Sequence, residues 1–124
     1  MNELTTWQYH YINLFNKHLQ ENKDCIIDIL KDNIPRRIGK TRVLNEIGLT
    51  YQALGNEVII MTPYNNEYIA TVLLRDRVED IKGNYPAKTI CLIDEWDFRS
   101  KNSNEFLYYL KRYKIPIVGF GYNL

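Results

Sequence analysis

Short, mostly apolar runs at residues 25–30, 58–61, 89–93 and 115–120 alternate with longer segments whose apolar residues recur at helical spacing. A continuous apolar run reads as a strand covered on both faces, and strands separated by helices return to one sheet as parallel neighbours. The spacing therefore predicts an α/β chain with a mostly parallel sheet in a three-layer α/β/α arrangement. Its ligand site is expected at the carboxyl ends of the strands. The 124 residues form one domain over 1–124, able to bury about two-thirds of the unfolded surface but leaving no room for a second full-sized lobe.

The helical segments can be placed from their faces. Over 4–20, Trp7, Tyr11, Leu14, Phe15 and His18 share a side, and Thr5-x-x-Gln8 has the form of a capping box. Val43, Leu44, Ile47, Tyr51 and Leu54 mark a second helix stopped by Gly55. Residues 66–81, with Ile69, Val72, Leu73 and Ile81 inward, predict a third helix, and Gly83, Asn84 and Pro86 the loop after it. Asn102-x-x-Glu105 opens a last helix with Phe106, Leu107, Leu110 and Tyr113 inward, and Pro116 must stand at the start of the final strand.

Charge excludes several classes. With 16 Lys+Arg against 15 Asp+Glu the formal charge is +1, and neither half is a basic tail. No apolar run approaches the roughly 20 residues of a membrane span, and the opening MNELTTWQYHYINLF has no basic, apolar leader, so a soluble cytoplasmic protein is expected. Cys25 and Cys91 stand alone in apolar runs with no His or Cys at metal spacing, so both read as buried, reduced thiols. The abundance of Asn, Ile, Lys and Tyr fits an A/T-rich genome, such as that of a low-GC bacterium or its phages.

Strand, loop, Gly39-Lys40-Thr41, helix is the context of a phosphate-binding loop. Gly39 lets backbone amides approach a phosphate, the helix start adds donors and partial positive charge, Lys40 faces the outer phosphates, and the Thr41 hydroxyl can ligate Mg2+. The first glycine of the usual pattern is replaced by Ile34, followed by Pro35, Arg36 and Arg37, so the turn is built differently. An ordinary helix start with two solvated arginines explains the same letters. A second feature weighs against it: Thr89-Ile-Cys-Leu-Ile-Asp94-Glu95 ends an apolar strand on two carboxylates. Adjacent acids on an extended chain point different ways, which suits Asp94 to a metal and Glu95 to the water attacking a terminal phosphate.

In this order the residues resemble the ATPase domain of phage terminase large subunits and of superfamily-two helicases, within the additional-strand class of P-loop NTPases. Leu4-Thr-Thr-Trp7-Gln8 is similar to an element that precedes the phosphate loop there and reads the adenine edge. Pro35-Arg36-Arg37-Ile38-Gly39-Lys40-Thr41 resembles the terminase form of Walker A, residues 59–64 the next motif, residues 90–95 Walker B, and residues 117–121 the coupling motif on the added strand. The resemblance implies ATP and Mg2+ as cofactors. Arg37, Ile38, Gly39, Lys40, Thr41, Arg42 and Gln8 would bind the nucleotide, Thr41 and Asp94 the metal, and Lys40, Glu95 and Arg36 would act in hydrolysis, Arg36 offsetting charge at the terminal phosphate. It also implies a DNA-linked ATPase in a phage-infected or prophage-carrying cell, working with other protein chains or as a homo-oligomer. The chain stops after the coupling strand, so translocation or cleavage is not expected of it alone.

Other readings remain open. Gln8 serves equally as the capping residue of its helix, and Trp7 as a core side chain. A small nucleoside-type kinase would share Gly-Lys-Thr and Ile-Asp-Glu, and a nucleotide-gated binding module could modulate a motor without turnover. Arg99, Lys101, Lys111, Arg112 and Lys114, interleaved with Tyr108, Tyr109 and Tyr113, would suit a nucleic-acid surface; a solvated helix with buried tyrosines accounts for them as well. His10 and His18 are assigned no role.

Overall fold

The most apolar run lies at the centre of a parallel sheet. The computed structural model describes residues 3–34, 39–62, 73–74, 88–99 and 103–124, the pair 73–74 through its backbone alone. These form α1 (Thr6–Gln20), β1 (Cys25–Asp28), α2 (Lys40–Ala53), β2 (Glu57–Met61), β3 (Leu73–Leu74), β4 (Thr89–Asp97), α3 (Ser103–Arg112) and β5 (Ile117–Tyr122). The strand order is β1, β5, β4, β2, β3, and every neighbouring pair is parallel. Burial follows position: β4 and β5, each flanked by strands, are buried through most of their length, whereas the edge strand β1 is half-buried throughout.

Two apolar clusters separate by the pleat of the strands. Val58, Ile60, Ile90, Leu92, Val118 and Phe120 face α1 and α2, where they meet Phe15, Leu19, Val43, Leu44, Ile47 and Tyr51. Ile59, Met61, Cys91, Ile93 and Ile117 face the other way, against Phe106 and Leu110 of α3. Helices therefore cover both faces of the sheet. Phe120 anchors the first cluster edge-on to Phe15 and Tyr11, with ring centroids 5.4 and 5.3 Å apart. No helix of the described residues is long and apolar enough to cross a membrane.

Several expectations change. Leu73 and Leu74, read as part of a helix, instead pair with Ile59 and Ile60 as an edge strand; the remainder of that predicted helix, the loop at Gly83, Asn84 and Pro86, and Asn102 lie outside the described residues. Tyr113 and Leu54 were expected inward, but both fall just past a helix end and are 37% and 70% exposed. The strand at 89–93 does not stop at the acids; it continues to Asp97.

Both cysteines are free, Cys91 buried and Cys25 half-buried. Burial pushes both thiols up, Cys91 far the more, with the Asp24 carboxylate adding to the effect there. A thiol raised on folding stabilises the fold below its ordinary value and loses that contribution as pH climbs above it. We expect the urea midpoint to fall above about pH 9, and Cys91→Val to flatten that fall. An unchanged slope in the variant would remove Cys91 as its cause.

Candidate functional site

The start of α2 is shaped by α1. Thr5 and Gln8 form the capping box that their spacing predicts: the Thr5 N–H donates to Gln8 Oε1 at 2.8 Å, and the Gln8 N–H to Thr5 Oγ1 at 3.3 Å. Gln8 is thereby held buried, its amide against Gly39. Gly39 is the N-cap of α2 at φ +84°, with no side-chain cap, and a Cβ there would collide with Gln8 Nε2. The capping role of Gln8 and its place beside the start of α2 thus coincide.

The acidic pair sits in a β-bulge. Ile93 pairs with Gly119 and Trp96 with Gly121, so Asp94 and Glu95 together oppose Phe120 alone. Bulges are rare in parallel ladders and re-aim side chains. Glu95 takes φ +53°, an uncommon conformation for a residue with a side chain. Both acids consequently reach the first turn of α2. The Thr41 hydroxyl donates to Asp94 Oδ2 at 2.7 Å, and Lys40 Nζ lies 3.2 Å from Glu95 Oε1. Each acid meets a different partner, and the bulge rather than strict alternation sets their directions. The extra residue shifts the alternation of side chains beyond it: Trp96 packs on the α3 face, 6.0 Å from Phe106, and its Nε1–H donates to Ser103 Oγ.

Two glycines of β5, unassigned by their chemistry in sequence, make the bulge possible. Gly119 has φ +143°, and a Cβ there would strike the Ile93 backbone; one at Gly121 would lie 2.6 Å from the Phe98 ring. The available signal was Gly-Phe-Gly inside a strand, where glycine is disfavoured unless backbones approach closely.

The site joins one cation and two acids out of water. Lys40 and Glu95 have side-chain exposures of 6% and 20%, and Asp94 is buried. Such charges persist because they are paired, and a phosphate that approaches Lys40 must compete with Glu95. The described residues hold no cluster of three or more His, Cys, Asp or Glu. Mg2+ needs no such cage, since it keeps several waters and takes only one or two protein oxygens beside phosphate oxygens. Thr41 Oγ1 and Asp94 Oδ2 are hard oxygens already within 2.7 Å of each other, a donor set that fits that ion.

Arg42, half-buried, lies on the same turn of α2. Arg36, Arg37 and Ile38 fall outside the described residues, as do Pro35, Pro63 and Tyr64. Trp7 packs edge-on against Tyr11 at the margin of the core. Lys111 and Lys114 lie by Asp24 and Pro116, before the starts of β1 and β5, and so at the end of the strands opposite the acids. Comparison with protein-family models, curated proteins and solved structures finds no match for this chain.

Proposed function

We propose that this is a P-loop domain that binds ATP with Mg2+ and hydrolyses it. Its biological setting is a phage-related, DNA-linked ATPase, terminase-like or helicase-like, acting with partner chains or with further copies of itself. One observation carries the reading: the Lys40-Thr41 turn and the Asp94-Glu95 bulge, far apart in sequence, meet as Lys40 with Glu95 and Thr41 with Asp94. Strand order adds support, since β5 stands between the strand leading to the phosphate loop and the strand bearing the acids, as an additional strand would.

In this reading Lys40 leaves Glu95 to meet the outer phosphates, while the amides of Arg37, Ile38, Gly39, Lys40, Thr41 and Arg42 enclose them. Gln8, held against Gly39, borders the nucleotide on the α1 side. Thr41 and Asp94 hold Mg2+, which when bound draws charge from the phosphate oxygens. Glu95, released from Lys40, accepts the proton of the attacking water, and Arg36 offsets charge developing at the terminal phosphate.

Direct titration with ATP and Mg2+, beside a turnover assay with and without DNA, tests the proposal. Wild-type protein is expected to bind, and Lys40→Ala to weaken binding by about a hundredfold, the worth of a charge-assisted contact to phosphate. Absence of ATP binding by the wild type, or equal binding by the variant, would reject the site.

A further inference from the structure

We propose that the outer face of α3 and the turn after it bind single-stranded nucleic acid, by the amino-terminal ends of the strands and away from the candidate ATP site at their carboxyl ends. Tyr108 is 57% exposed and Tyr113 37%, so the reading of these two as buried side chains does not hold, whereas Tyr109 is half-buried against the α3-side cluster. Tyr109 and Tyr113 stack with centroids 6.4 Å apart, and Tyr108 stands edge-on to Tyr109 at 5.2 Å. Arg112 Nη1 donates to the Tyr108 hydroxyl at 3.4 Å, tying a guanidinium to the same aromatic row.

Three cations, Lys111, Arg112 and Lys114, are exposed at this end of α3, whose first turn carries the exposed acid Glu105, and no described acid forms a salt bridge with any of them. Lys111 and Lys114 also line a cleft of about 180 Å³ whose one acid, Asp24, accepts a hydrogen bond from the Ile117 N–H. Aromatic rings interleaved with cations are what splayed bases and their phosphates require: each ring offers a stacking surface, and each cation a backbone contact. A duplex hides its base faces and would find only three charges here, so the single strand is the favoured partner.

The turn itself supplies a discriminating variant. The three helices of the described residues end alike, with the left-handed residue after the cap being Asn22 for α1, Gly55 for α2 and Lys114 for α3. Asn and Gly suit that conformation and Lys does not, so Lys114 adopts it at a backbone cost. Lys114→Gly should therefore fold at least as well as the wild type while removing one phosphate contact.

The inference names the nucleic-acid partner of the proposed ATPase without needing its nucleotide site. Anisotropy of labelled oligo-dT and oligo-U of roughly 16 nucleotides, with a duplex of equal length, provides the test. Binding is expected for either single strand, with a logarithmic salt slope near about −2 for three contacts. Tyr108→Ala is expected to weaken it about tenfold, Lys114→Gly to weaken it with no loss of thermal stability, and Lys40→Ala to leave it unchanged. Absence of single-strand binding, a duplex bound as tightly, or full affinity in both surface variants would overturn the inference. Loss of binding in Lys40→Ala alone would likewise overturn it, by placing the contact at the carboxyl ends of the strands.

Discussion

Glu95→Gln is expected to lower ATP turnover by about two to four powers of ten while tightening ATP binding. The first effect is the ordinary worth of a positioned general base, since a glutamine keeps the shape and loses the proton-accepting charge. The second is particular to this site. Lys40 lies 3.2 Å from Glu95, nearly out of solvent, and in the proposed function the phosphates must displace that carboxylate to reach it. With a neutral amide in place there is no anion to displace, and a gain of about tenfold corresponds to roughly 1.4 kcal/mol. The variant should also melt lower, because the buried ammonium has lost its partner. Single-turnover kinetics and calorimetric titration read the two effects separately. Unchanged affinity would mean that the ion pair does not gate the site, and unchanged turnover would remove Glu95 from the chemistry.

Gly119→Ala is expected to destabilise the fold by about 3 kcal/mol or more, or to prevent folding. Two costs combine. At φ +143° any side chain is strained, and the added Cβ would overlap the Ile93 main chain, which the pairing of β4 with β2 and β5 prevents from yielding. The β4 register would have to shift, and with it the bulge that turns Glu95 toward Lys40. Denaturant unfolding measures the loss. In any fraction that folds, ATP binding should be impaired as well, although Gly119 touches neither Lys40 nor Thr41. A cost within about 0.5 kcal/mol would show that the strand can accommodate the methyl group and that the glycine is not what permits the bulge.

Much of this architecture is written in local patterns. The apolar runs become β1, β2, β4 and β5 because a continuous apolar stretch must be covered on both faces, and the helices between them leave the strands parallel. Thr5 and Gln8 specify the start of α1 by themselves, since a capping box closes within one turn. Lys40, Thr41, Asp94 and Glu95 were legible as a candidate pair of motifs because a helix start and a strand end both carry chemical signatures. Gly55 ends α2 as its letter implies.

What only the tertiary structure decided are the features whose cause lies elsewhere in the chain. Leu73 and Leu74 form a strand because the edge of β2 offers them hydrogen bonds, a partner invisible to their own helical spacing. Tyr108 and Tyr113 face outward because Phe106 and Leu110 fill the space beneath α3. Above all, Asp94 and Glu95 converge on one helical turn because two glycines in β5 admit an extra residue opposite Phe120. Alternation belongs to a strand alone, whereas a bulge belongs to a pair of strands. The sequence by itself singled out Lys40, Thr41, Asp94 and Glu95 as candidates; the packing of β4 against β5 decided which way the two acids point.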